Sequence, residues 1–120
     1  MGKYFKLLLL IAILSIEFLA TTTTVHIGIV ENMWDKANHF IAFFTLYILV
    51  SLSFTNMKTS HKTVWLILFG IQIELIQHFI EGRFFSLMDI IADIIGIAIS
   101  IVTYKVFLAI LVKLKYKLDY

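Results

Sequence analysis

Polar residues that could do chemistry sit inside stretches that are otherwise apolar. Asp35, Lys36 and His39 open one such stretch, Glu74, Gln77 and His78 close another, and Asp89 and Asp93 begin a third. Residues three or four apart share one face of a helix. Asp35 therefore pairs with His39, Glu74 with Gln77 and His78, and Asp89 with Asp93. An ionisable residue inside a membrane span costs at least about 2.5–3.5 kcal/mol for Asp, so such residues face the protein interior and mark functional sites by default. Carboxylates whose surroundings push their pKa values apart are the usual apparatus of acid/base chemistry. Glu74, Asp89 and Asp93 are the candidate catalytic groups on that reading, with Arg83 stabilising an anion. No nucleophile stands out, so no reaction is assigned. As a binding set, Asp35, Lys36, His39, Glu74, Gln77, Arg83, Asp89 and Asp93 would form a mostly acidic pocket for a cationic or polar ligand.

Each of these residues also has a structural reading. Arg83 is the sole arginine among ten basic residues, which suits a planar, bidentate pairing that lysine cannot make. Asp89 or Glu74 would be its partner. Ser86-Leu87-Met88-Asp89 fits S-x-x-D, the signature of a capped helix start. Glu74 and Gln77 could join an interhelical hydrogen-bond network, although each such bond is worth only about 0.6 kcal/mol in a membrane. His39, His78 and Asp35 are weak metal candidates: zinc or manganese accepts such donors, but no H-E-x-x-H or comparable ligand spacing exists. The sequence thus implies no metal and no cofactor.

The elements that must position these residues follow from composition. Of 120 residues, 61 % are hydrophobic and only 15 % charged, and the mean hydropathy is +0.96. Soluble domains average about 45–50 % apolar and about 25 % charged. A core this small cannot hide so much apolar surface from water. Proline and cysteine are absent, which excludes disulfides, thiolate metal sites and a cysteine nucleophile. The net charge of +2 gives no reason to expect nucleic acid.

Four apolar runs cover about 7–22, 37–54, 64–80 and 88–112. Each is near the roughly 17–25 residues that a helix needs to cross a bilayer, and helix is the structure that satisfies its own backbone there. The expectation is an all-α, four-helix transmembrane bundle forming one domain over residues 1–120. The first run has lysines before it, as in a signal peptide, but Glu17 lies within it and no A-x-A-like site follows. It reads as a retained helix.

Lysine and arginine counts set the orientation. Lys3, Lys6, Lys58, Lys62, Lys113, Lys115 and Lys117 fall on one side, and Lys36 and Arg83 on the other. Both termini are therefore expected in the cytoplasm. Seven of the eight acidic residues, all but Asp119, fall in the opposite, outer half or beyond it. The polar stripes then build an outward-open acidic pocket, with Gly96 and Ser100 letting a neighbouring helix approach closely. The expected surroundings are membrane lipids, and the oligomeric state stays open.

Asp35-Lys36-Ala37-Asn38-His39-Phe40, followed by Phe43 and Leu46, resembles the D-K-x-x-H-F block of the VanZ-like family of small bacterial membrane proteins. A second block starts at Glu74 and runs through Gln77, Phe79, Gly82-Arg83, Ser86, Asp89, Ala92-Asp93 and Gly96. It resembles that family's E-x-x-Q-x-F-x-x-G-R-x-x-S-x-x-D-x-x-A-N-x-x-G. Asp93 stands where the family usually has Asn, and Ser100 where a small Gly is common. The resemblance implies a multi-pass protein of the bacterial cytoplasmic membrane. Its founding member is associated with low-level resistance to glycopeptides such as teicoplanin. A cell-envelope role follows as the expectation, with an envelope or lipid-linked ligand. The alternatives are an intramembrane enzyme acting on a lipid-linked substrate and, as a third reading, a small transporter, which the lack of an internal repeat disfavours.

Overall fold

The computed structural model describes residues 2–21, 29–79 and 86–119, with side chains described over 2–20, 36–79 and 86–118. Among these residues the chain is all-helical: α1 (Gly2–Thr21), α2 (Ile29–Ser53), α3 (Thr59–His78) and α4 (Leu87–Asp119). Every helix begins before its hydrophobic run, α2 by eight residues, and α4 also ends seven residues beyond its own. Lys113 to Leu118 adds polarity without breaking the helix, because lysine and leucine are both good helix formers. At about 1.5 Å per residue, 33 residues reach roughly 50 Å, well beyond a hydrocarbon core of about 30 Å. Every residue from Lys105 to Leu118 is exposed.

The short α2–α3 connection is closed by backbone bonds. Phe54 N–H donates to Val50 O at 2.8 Å and Met57 N–H to Phe54 O at 3.1 Å. Lys58 is extended, and its carbonyl accepts the first α3 bond, from Lys62 N–H at 3.0 Å.

Contacts between helix ends give the directions. Lys6, near the start of α1, lies 5.2 Å from the ring of Phe54 just past α2. Gln77, near the end of α3, donates to the carbonyl of Ala20 at the end of α1 at 3.2 Å. Successive helices therefore run in opposite directions. The largest contact joins α2 to α4, while α1 packs on α2 and α3 and does not touch α4 among the described residues. Gly96 is what lets α2 and α4 meet, since a Cβ there would lie 2.5 Å from the carbonyl oxygen of Phe40.

The interior is mixed in chemistry. Phe43, Leu46 and Tyr47 of α2, Leu66 and Ile73 of α3, and Ile97 of α4 form its apolar part. Buried with them are Ser51, Ser53, Lys62, Glu74, Gln77, Asp89, Asp93 and Ser100. Leucine, isoleucine and phenylalanine side chains face outward along α1, α3 and α4. Two segments, Lys36–Ser53 in α2 and Leu87–Leu118 in α4, are long and apolar enough to cross a membrane. Of the four spans expected from hydropathy, these two have that support. In α3 the buried Lys62 and Glu74 dilute the apolar character.

Candidate functional site

Three helices build one polar cluster at a common end of the fold. α2 contributes His39 from its first half, α3 contributes Glu74 from its last turns, and α4 contributes Asp89 and Asp93 from its first two turns. His39 Nδ1 lies 2.8 Å from Asp93 Oδ1. Its other nitrogen, Nε2, lies 3.6 Å from Glu74 Oε1 and 3.5 Å from Asp89 Oδ2. A carboxylate only accepts hydrogen bonds, so with Asp93 ionised the proton sits on Nδ1 and is donated to Oδ1.

The start of α4 shapes the cluster. Ser86 is its N-cap: Asp89 N–H donates to Ser86 Oγ at 3.3 Å and approaches Ser86 O at 3.2 Å. In a complete capping box the Asp89 carboxylate would bond back to the Ser86 amide. Here Glu74 takes that role from α3, its Oε2 accepting Ser86 N–H at 3.0 Å. The Asp89 carboxylate is thereby freed to face His39. Two carboxylate oxygens in the cluster, Glu74 Oε1 and Asp93 Oδ2, are buried without a hydrogen-bond partner. Three carboxylates surround a single imidazole, so even an imidazolium would leave the cluster negative when all three are ionised. The arrangement suits a proton, a metal ion or a cationic ligand group.

Glycine keeps the cluster close-packed. A Cβ at Gly70 would lie 2.6 Å from Asp93 Oδ2 and 3.3 Å from Phe43 Cζ. Its only visible signal in the sequence is a glycine amid an apolar helix, and the motif pattern passes it by.

The remaining candidates separate. Gln77 is buried, but its amide ties α3 to α1 through Ala20 rather than joining the His39 cluster. Lys36 is half-exposed in the first half of α2. His78 departs from the expected inward stripe: it is exposed, its ring edge-on to Phe79 at 5.3 Å between centroids. One position per turn faces inward this close to the end of α3, and Glu74 and Gln77 occupy it. Of the three weak metal candidates named for their donor chemistry, His39 is in the cluster and His78 is not. The side chain of Asp35 and all of Arg83 lie outside the described residues, as do the pairings expected of them.

A second polar cluster, unforeseen in the sequence, lies at the opposite end. Lys62, counted above among the lysines of the cytoplasmic side, is in the first turn of α3 and only 5 % exposed. Its Nζ donates to Ser51 Oγ at 3.0 Å and sits 5.0 Å and 5.4 Å from the ring centres of Tyr47 and Tyr104. Tyr104 O–H reaches toward Ser51 O at 3.5 Å. Two ring faces and a hydroxyl surround this ammonium where a carboxylate would be the ordinary partner.

An all-helical chain with apolar outer faces, two helices fit to cross a bilayer and a carboxylate–histidine cluster between helices belongs among the small membrane-associated helical proteins. The family model described as VanZ/LLP1 matches residues 3–109, and the chain belongs to that family. No curated protein and no solved structure matches it.

Proposed function

We propose that this VanZ/LLP1 protein is a multi-pass, four-helix transmembrane bundle of the bacterial cytoplasmic membrane, a single domain with both termini inside. Its His39–Glu74–Asp89–Asp93 cluster faces outward and binds a polar or cationic group of a cell-envelope ligand. By that route it lowers susceptibility to glycopeptides of the teicoplanin type. The observation that carries this reading is the convergence of three buried carboxylates on His39 from two other helices. Burial of that many ionisable groups is costly in an apolar setting and is retained where function needs it. The orientation is supported by the chain's lysines, which gather at the end opposite the cluster.

The test is teicoplanin susceptibility of a sensitive bacterium expressing the wild type or Glu74→Gln at equal membrane levels. Protection by the wild type and its loss in the variant is the expected result. Equal susceptibility with wild type, variant and empty vector would remove the resistance role.

A second reading, an intramembrane enzyme acting on a lipid-linked envelope substrate, is favoured by the unpartnered oxygens of Glu74 and Asp93. Either could take a proton from a substrate, and His39 could return one. Turnover of a lipid-linked precursor by purified protein would move this reading ahead of binding alone.

A further inference from the structure

His39, Glu74 and Asp89 come from three different helices, and each offers a donor atom within 4.8 Å of the other two; the oxygens facing His39 Nε2 are Glu74 Oε1 and Asp89 Oδ2. The distances from Nε2, 3.6 Å and 3.5 Å, are too long for good hydrogen bonds. The other ring nitrogen is already committed to Asp93 at 2.8 Å. With the proton on Nδ1, Nε2 turns its lone pair toward two carboxylate oxygens. Three acceptors facing one another repel unless a proton or a metal cation lies between them.

A second observation points the same way. Glu74 is fully buried, its Oε2 is held by the Ser86 amide, and its Oε1 has no hydrogen-bond partner. The Ser86 bond therefore fixes one oxygen and aims the other at Nε2.

We propose that these three atoms form a divalent transition-metal site of the zinc or manganese class. Its ligands are His39 Nε2, Glu74 Oε1 and Asp89 Oδ2, and Asp93 orients His39 from behind. Metal–ligand bonds of about 2.0–2.2 Å at tetrahedral angles hold the donor atoms roughly 3.3–3.6 Å apart, the range in which the two Nε2 distances fall. A metal-ligating histidine almost always donates its other N–H to a carboxylate or carbonyl, which fixes the tautomer. Asp93 fills that position. One imidazole with two carboxylates is a donor set that zinc and manganese both accept, and three protein ligands leave a coordination position open for water or a ligand group. The assignment rests on the reading of this cluster as the functional site, and it names what that site holds.

The test uses full-length protein in detergent, stripped with a chelator and then titrated separately with Zn²⁺ and Mn²⁺. Calorimetry and elemental analysis after gel filtration should give one ion per chain, with a higher Tm. Loading with Co²⁺ should give visible d–d absorption of nitrogen/oxygen coordination, a readout that needs no variant. Asp93→Ala should lower metal affinity by about 10–100-fold, as loss of such an orienting partner does. Asp93→Asn should change it little, and Glu74→Gln and Asp89→Asn should weaken it more than Asp93→Ala.

Folded wild-type protein that binds both ions more weakly than about 1 mM and gives no Co²⁺ spectrum would overturn the site. Tight binding that survives both Glu74→Gln and Asp89→Asn would overturn these ligands. Absence of metal binding alongside Glu74-dependent protection in cells would reject the metal and leave the envelope reading standing. One bound ion with unchanged protection in Glu74→Gln would do the reverse.

Discussion

His39 Nδ1 and Asp93 Oδ1, 54 positions apart in the chain, lie 2.8 Å from each other across the α2–α4 interface. This bond fixes the ring so that Nε2 faces Glu74 and Asp89. It forms because Gly96 lets α4 approach the backbone of Phe40, the neighbour of His39.

Replacing Asp93 should separate hydrogen bonding from charge. Asp93→Asn keeps an oxygen that can accept from Nδ1–H. Its thermal stability in detergent should stay close to wild type. Asp93→Ala should lose about 2–3 kcal/mol, the scale of a charge-assisted hydrogen bond whose partner is left buried. Equal stability of Asp93→Ala and wild type would mean that His39 is oriented by something else.

Gly70→Ala should destabilise by about 1–3 kcal/mol, as overpacking of a filled interior does. The added methyl must displace either the Asp93 carboxylate or the Phe43 ring. Asp93→Asn/Gly70→Ala should be no better than Gly70→Ala alone, because the amide occupies the same space. A Gly70→Ala protein with wild-type Tm would show that α3 and α4 can separate freely here.

Lys62 tests packing against charge at the other end. Lys62→Met keeps an unbranched stem against Tyr47 and Tyr104 and should cost less than about 1 kcal/mol. Lys62→Ala leaves a cavity between the rings and should cost about 2–4 kcal/mol. If methionine is as damaging as alanine in thermal unfolding, the ammonium itself holds the two tyrosines.

Topology is open to labelling in intact cells. Single cysteines at Leu87 and Asn56, both exposed, lie at opposite ends of α3. Impermeant maleimide should reach Leu87→Cys from outside and Asn56→Cys only after permeabilisation. The reverse pattern would place the acidic cluster on the cytoplasmic side.

Loss of the Ser86 cap should be mild. Ser86→Ala removes Oγ as the acceptor for Asp89 N–H but leaves the Ser86 amide on Glu74. The expected loss is about 1 kcal/mol, with metal affinity little changed. A large loss of either would mean that the hydroxyl supports the cluster directly.

The helices, the apolar outer faces and the inward turn of Glu74, Asp89 and Asp93 were legible in the sequence, because they follow from local periodicity and the cost of exposing charge to an apolar medium. The motif blocks also carried the family. Partner choice was not legible. Spacing along one helix offers Asp35 to His39 and Glu74 to His78, whereas contact across helices gives His39 to Asp93 and Glu74 to the Ser86 amide. Lys62 shows the same limit, since its place at the end of an apolar run looks like a surface lysine until Tyr47 and Tyr104 close over it. Side chains on one helix are positioned by its 3.6-residue turn alone, and that much the sequence determined. Which atoms meet between helices depends on crossing distance and axial register, set here by the backbone approach at Gly96 and the side chains of Asp93 and Phe43 packed on Gly70, and only the tertiary structure decided that.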